Sequence, residues 1–107
     1  MSKKTIKLNY EKAIRQAERL ETMGNEMSSM ANDEYENTLN GIAAAWNGDN
    51  SAAYLEKARQ LKDKIITTAK NLQLIADEIR RKAKRIFDAE MAALELAESR
   101  TYAGGSR

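Results

Sequence analysis

Apolar and small residues recur at steps of three and four through the first half of the chain, from Tyr10 to Trp46. This is the spacing of one helical face. Charged residues such as Glu11, Arg15 and Glu18 fall between the apolar positions. Asn9 is a suitable N-cap, so the pattern predicts an amphipathic helix over residues 9–46.

The same spacing resumes at Tyr54, continues to Ile86 and weakens towards Ala97. Between the two stretches stands Trp46-Asn47-Gly48-Asp49-Asn50-Ser51. Glycine takes the left-handed conformation that ends a helix, and Asp, Asn and Ser are good N-caps. We therefore expect a turn at residues 47–50, a second helix over 51–99 and a disordered tail over 100–107. So short a connection makes the helices antiparallel neighbours.

Gly24 leaves the continuity of the first helix open. A glycine in a helix interior costs about 1 kcal/mol relative to alanine, and Gly24 could end a short helix, which would give three helices. The apolar phase nevertheless runs through Gly24 without a slip. Gly24 also lies on the apolar face, where a missing side chain lets a partner helix approach closely. One continuous helix is therefore favoured.

The composition supports an all-α fold and excludes several chemistries. Proline and valine are absent, and straight-chain helix formers dominate. Cysteine and histidine are also absent, which removes disulfides, thiolate nucleophiles, the usual general base and the commonest transition-metal ligand. We expect no enzyme activity, no metal, no cofactor and no small-molecule substrate.

Five basic residues lie close together between Arg80 and Arg85. Nucleic-acid binding is one interpretation of such a run. Acidic residues flank the run at helical spacing, no aromatic residue interleaves with it, and the formal net charge is only +2. A solvated, salt-bridged face is the favoured interpretation, and no nucleic acid is expected as a partner.

Two helices alone make a thin core for a chain of 107 residues. The apolar stripe of the second helix is wider than one partner helix covers, and pairing two hairpins into a four-helix bundle would bury its flanks. Methionines of the first helix (Met23, Met27, Met30) would fill gaps at that interface. The predicted interface residues are Leu20, Met27, Leu39, Ile42, Leu61, Ile65, Leu72 and Ile79.

Trp46, Asn47 and Gly48 place a Trp-X-Gly tripeptide between two long amphipathic helices in a cysteine-free chain. This arrangement resembles the WXG family of small ESAT-like proteins of type VII secretion systems. The resemblance covers residues 7–99. It implies a homodimer, or a heterodimer with a related helical protein, made in the cytoplasm and exported to the medium or the cell surface by the secretion machinery without a Sec signal.

The family resemblance also implies a C-terminal export signal of the form Tyr-X-X-X-Asp/Glu. The chain departs from that form, because Tyr102 is followed four residues later by Ser106. A looser pattern of apolar residues around an acid fits one stretch of the second helix, and the candidate signal residues are Ile86, Phe87, Glu90, Ala93 and Ala97. If this stretch is no signal, a partner would carry one.

A targeting adaptor is the alternative function. In this hypothesis the hairpin binds the helical N-terminal domain of a larger secreted toxin and helps its export. Folding about Gly48 places Asn9 opposite Phe87 if each helix rises about 1.5 Å per residue. Residues 88–99 are then expected to have no partner within the chain and to be available for docking.

Overall fold

The computed structural model describes residues 2–46 and 48–105, with only the backbone at 49, 50 and 102–105. It contains helix α1 (Lys3–Met30), a π-helical turn (Ala31–Tyr35), helix α2 (Glu36–Ala45) and helix α3 (Asp49–Gly105). Every element among these residues is helical, which confirms the predicted all-α helical hairpin. Asn47 of the predicted turn lies outside the described residues.

Helix α1 begins six residues before the predicted start. Ser2 acts as its N-cap: the Thr5 amide donates to Ser2 Oγ at 3.1 Å, and the Ile6 amide donates to the Ser2 carbonyl at 3.0 Å. The prediction of Asn9 as N-cap is therefore wrong, because Ser2 provides an earlier cap and Ile6 is an apolar residue that is buried. The helix also runs through Gly24 without a break.

A π-helical turn at Ala31–Tyr35 follows α1 and was not predicted. Its signal was present in the sequence, because Met27, Ala31, Tyr35 and Leu39 give three successive steps of four. Four residues per turn exceed the 3.6 of an α-helix, and a π turn absorbs the excess. Thr38 Oγ1 donates to the Glu34 carbonyl at 2.9 Å beside this turn.

The turn between α2 and α3 depends on Gly48, whose φ of 131° is rarely adopted by residues with a side chain. Ser51 is buried, and its hydroxyl lies 2.8 Å from the Gly48 carbonyl oxygen and 3.1 Å from that of Trp46. The Ala52 amide donates to the Gly48 carbonyl at 3.2 Å. Helix α3 thus begins at Asp49, and Ser51 supports the turn from inside the helix.

Helix α3 continues to Gly105, whereas the sequence predicted a disordered tail from residue 100. No proline stops the helix, and each residue added to an existing helix gains a hydrogen bond at low cost. The Thr101 hydroxyl also donates to the Ala97 carbonyl at 3.0 Å. The predicted tail is therefore wrong through residue 105, and residues 106–107 lie outside the described part.

The chain divides into two compact units. One, Leu20–Leu74, contains the turn and is an antiparallel hairpin, since Asn25 contacts Gln73 and Tyr35 contacts Ala58. Where burial is described, the buried residues of this unit are Gly24, Ala31, Leu39, Ser51 and Ala69. Four of these five are small, so the two helices approach closely along this line.

The other unit combines residues 1–19 with 75–107. Between residues 2 and 19 and between 75 and 101, the buried residues of this unit are Ile6, Ala17, Ala76 and Ala83. Tyr10 and Phe87 contact each other with ring centroids 4.9 Å apart and planes inclined at 40°. Again alanines form most of the buried line, and Ile6 and the two aromatic rings supply the larger contacts.

Candidate helix-binding face

Helix α3 exposes large apolar side chains along one side of its buried line in the unit 20–74. Successive residues turn by about 100° around a helix. Angles around the helix axis are measured here from the buried residue Ala69. Tyr54 and Leu72 then lie about 60° from it and Leu61 about 80°, all in the same rotational sense. Leu61 is 52% exposed and Tyr54 is exposed as well, whereas Leu72 is half-buried.

The helices before the turn carry a matching set. Met23 and Met30 directly precede buried Gly24 and Ala31, and Ile42 follows buried Leu39 by three residues. Their offsets of about 60° to 100° have the same rotational sense as those in α3. The two helical arms of the hairpin are antiparallel. Side chains that are rotated from the buried residues in the same sense therefore lie on the same side of the hairpin. We call the exposed residues on this side the apolar face: Met23, Met30, Ile42, Trp46, Tyr54 and Leu61.

A cleft at the turn end joins the two halves of the apolar face. It has a volume of about 390 Å³ and is lined by Leu39, Ile42, Trp46, Tyr54, Leu55 and Ala58. The rings of Trp46 and Tyr54 stack with centroids 6.3 Å apart and planes 22° apart. Trp46 is nevertheless 57% exposed, so most of this ring is available to a partner rather than packed as a core anchor.

The opposite side of the hairpin is held by polar contacts. Gln73 Nε2 donates to Asn25 Oδ1 at 2.7 Å. Glu36 accepts from Arg59 Nη1 at 2.8 Å and from Lys62 Nζ at 3.0 Å. The pKa of Glu36 is lowered mainly by the hydrogen bond from Arg59 and, to a smaller extent, by the hydrogen bond from Lys62. The hairpin thus carries these polar contacts on one side and the apolar face on the other.

The predicted interface residues differ in how far they are buried. Leu39 is buried inside the hairpin at 4% exposure, where it lines the cleft at the turn end. Ile42 and Leu61 are exposed on the apolar face. The remaining five are half-buried: Leu20, Met27, Ile65, Leu72 and Ile79. Sequence reasoning left Tyr54 and Trp46 out of this set, although both are large and lie in phase with the pattern, and both are exposed on the apolar face.

The candidate export signal lies in the unit formed by residues 1–19 and 75–107. Phe87 packs on Tyr10, and Ala93, Ala97 and Glu90 line a cavity with Ile6. The expectation that residues 88–99 have no partner within the chain is therefore wrong for this stretch. It failed because α1 starts at Lys3 and therefore extends six residues farther along α3 than a helix starting at Asn9.

Ile86 is the member of the candidate signal with the largest exposed side chain, at 58% exposure. Ala93 and Ala97 are exposed but small, and Phe87 and Glu90 are half-buried. A receptor for this stretch would therefore meet Ile86 first.

Three of the five residues in the basic run on α3 pair with acids of the same helix. Arg80 contacts Asp77 at 3.1 Å, Lys82 contacts Glu78 at 3.2 Å, and Lys84 contacts Asp88 at 2.8 Å. Asp88 raises the pKa of Lys84 by accepting its hydrogen bond. These pairs have the helical spacing that gives a solvated, charge-balanced surface.

Metal binding and membrane crossing find no support in the part of the chain that the structure describes. Its acidic residues form no group of three or more that could hold a metal ion. None of its helices combines the length and the apolar character that a crossing of the bilayer demands. Comparisons of the chain with protein-family models, curated proteins and solved structures found no match.

Proposed function

We propose that this chain is a small ESAT-like protein that binds other helices through its apolar face. Two hairpins would pair as a dimeric four-helix bundle, and a type VII system would export the assembly. The observation that carries the helix-binding part is the arrangement of Met23, Met30, Ile42, Trp46, Tyr54 and Leu61 on one side of a hairpin.

While they are exposed to water, these side chains lack the free energy that burial would contribute. Burying a Leu, Ile or Met side chain contributes about 1.5–3 kcal/mol. Contiguous exposed apolar patches are uncommon on monomeric proteins and mark interaction sites. A second helical pair laid on this face would bury the flanks at the interaxial distance of ordinary helix packing, about 8–10 Å. Helix binding is therefore the function that this surface supports best.

The first experiment measures molar mass by light scattering across a dilution series of the purified chain. A dimer is expected. In the variant Leu61→Glu, a charge in the middle of the apolar face should shift the dimer towards monomer. Leu74→Glu is the matched control, because Leu74 is 63% exposed on the same helix but lies about 140° from Ala69 in the other rotational sense.

Three results would count against the dimer. The wild-type chain could be a monomer at every concentration, Leu61→Glu could leave the molar mass unchanged, or Leu74→Glu could dissociate the dimer equally well. A helical circular dichroism spectrum for both variants would show that a change in mass is not a loss of fold.

Export is proposed from the resemblance carried by Trp46 and Gly48 and from the exposed Ile86. Replacing Ile86 by Asn should reduce the amount of protein in the medium of cells that make it and carry a type VII system. Leu8→Asn is the control, since Leu8 is an exposed aliphatic residue of the same unit outside the candidate signal. Equal secretion of Ile86→Asn and wild type would remove Ile86 from the signal.

The adaptor function is the second candidate, and the departure of the C-terminal region from Tyr-X-X-X-Asp/Glu favours it. An adaptor would use the same apolar face to bind the helical N-terminal domain of a larger secreted toxin, and the two together would present a complete signal. A monomeric wild-type chain that gains a single stoichiometric partner on co-expression with such a toxin would support it. Failure of the two proteins to co-purify would refute it.

A further inference from the structure

Charge is divided unevenly between the two arms of the hairpin in the unit Leu20–Leu74. We call residues 20–46 the first arm and residues 49–74, the start of α3, the second arm. The first arm contains five acidic residues and no basic one, whereas the second arm contains five basic residues and three acidic ones. The first arm is therefore negative, and the second arm carries an excess of positive charge.

Part of this charge lies along the edges of the apolar face. Lys57 and Lys64 lie about 120° and 140° from Ala69 around the helix axis, in the rotational sense of the apolar face. Glu34 precedes buried Leu39 by five residues and lies about 140° from it in the same sense. All three charged side chains are exposed and make no ion pair with the described residues. The apolar face thus has an acidic edge on the first arm and a basic edge on the second.

The contacts within the hairpin fix the height of Glu34 along it. The Tyr35 hydroxyl donates to the Ala58 carbonyl at 2.8 Å, and Glu36 accepts from Lys62 Nζ at 3.0 Å. Glu34 therefore lies level with the stretch of the second arm between its two edge lysines. Each lysine is then on the order of 5 Å from that level along the helix axis, at 1.5 Å per residue.

Two copies that cover each other's apolar faces can be related by a two-fold axis in either of two ways. If the axis runs parallel to the helices, both turns lie at the same end, and the first arm of each copy packs on the second arm of the other. If the axis runs across the helices, the turns lie at opposite ends and like arms pack together. The first arrangement brings each acidic edge to a basic edge, whereas the second brings acid to acid and base to base.

We propose that the apolar face docks a second copy of this chain with both turns at the same end. A two-fold axis parallel to the helices preserves height, so Glu34 of each copy lies between Lys57 and Lys64 of the other. Charges that border the apolar seam of paired helices set partner choice and orientation, and like charges that face each other across an interface are unfavourable. This orientation rests on the proposed self-association and excludes the dimer with its turns at opposite ends.

Charge reversal on the full chain tests the orientation. Glu34→Lys should raise the dissociation constant of the dimer about tenfold at low ionic strength, because it brings a third lysine to the two already at that level. Asp33→Lys is the matched control, since Asp33 is an exposed neighbour with the same charge but lies about 120° from Leu39 in the other rotational sense. It should leave the dissociation constant within about twofold of wild type.

Reversal of both edges in one chain should restore the dimer. The triple variant Glu34→Lys/Lys57→Glu/Lys64→Glu should associate with itself as tightly as wild type does. Mixed with wild type, however, it should form few heterodimers, because acidic edges then meet acidic edges and basic edges meet basic ones. Native mass spectrometry of isotope-labelled triple variant with unlabelled wild type measures the heterodimer fraction at equilibrium. That fraction should lie well below the half expected for random pairing and should return towards half in about 1 M salt, which screens the charges.

The alternative orientation gives opposite results. If the turns lie at opposite ends, Glu34→Lys leaves the dissociation constant unchanged, and wild type and triple variant form more than half heterodimer. Either result in a dimeric protein would overturn this orientation and keep the proposed self-association. A wild-type monomer at every concentration would overturn both. Circular dichroism of each variant shows that a change in association is not a loss of fold.

Discussion

A Cβ atom added to Gly24 would lie 2.8 Å from the backbone carbonyl oxygen of Ala69, closer than side-chain carbons normally approach any atom. At this point the backbone of α3 occupies the space that a side chain on residue 24 would need. The contact explains why α1 keeps a glycine in its interior, where glycine is intrinsically unfavourable.

Gly24→Ala should therefore lower the free energy of unfolding, because the backbone of α3 must move away and the packing on either side loosens. We expect a loss on the order of 1–3 kcal/mol, the usual range for overpacking. Gly41→Ala is the matched control, since nothing lies within 4 Å of a Cβ there. It should gain about 0.5–1 kcal/mol from helix propensity alone.

Urea unfolding followed by circular dichroism measures both glycine variants. A stabilising Gly24→Ala, or a Gly41→Ala as destabilising as Gly24→Ala, would show that the close approach of Gly24 and Ala69 does not limit the packing of this unit.

Glu36 should make the stability of the hairpin depend on pH in the acidic range. Its pKa is lowered in the folded state by the hydrogen bonds from Arg59 and Lys62. The ionised carboxylate thus stabilises the fold fully above the ordinary glutamate pKa, and this contribution is lost as the pH falls through the lowered folded-state pKa. Glu36→Gln should be less stable than wild type at neutral pH and should approach it in acid.

Urea midpoints of wild type and Glu36→Gln, measured from neutral pH into the acidic range, test this dependence. Glu26→Gln serves as the control because Glu26 is exposed and makes no ion pair with the described residues. A gap between wild type and Glu36→Gln that stays constant with pH would contradict the assignment.

The contact between Tyr10 and Phe87 should couple the start of α1 to α3. Aromatic pairs contribute about 0.5–1.5 kcal/mol beyond the area they bury. In a double-mutant cycle of Tyr10→Leu and Phe87→Leu, the two losses in unfolding free energy should differ from additivity by about that amount. Additive losses would mean that each ring packs on other atoms and that their contact contributes little.

The periodicity of the chain, its lack of proline and the glycine at the turn are local signals, and they predicted the helices and the antiparallel connection. Helix boundaries were predicted less well. Ser2 and Asn9 are both acceptable caps, and only the burial of Ile6 against α3 favours the earlier one. The apolar spacing around Ala31–Tyr35, with three successive intervals of four residues, is a sequence signal of this π turn. The turn keeps Leu39 on the buried side of the helix, and that requirement comes from packing rather than from the local sequence.

The division of the apolar stripe between inside and outside was decided by the tertiary structure alone. Sequence reasoning assigned large residues such as Leu39 and Leu61 together to an interface between hairpins and did not separate those that the hairpin itself buries. The two arms of the hairpin approach closely at Gly24 and Ala69, and Ala31 is buried as well, because small side chains allow close contact. Met30, Trp46 and Leu61 are then displaced to one flank, where a second pair of helices can cover them.

The sequence by itself thus determined that this protein is an all-α hairpin with more apolar surface than two helices can bury. The tertiary structure decided which side carries that surface. The physical reason is that helix formation depends on neighbours three and four residues away, whereas burial depends on how two whole helices fit together.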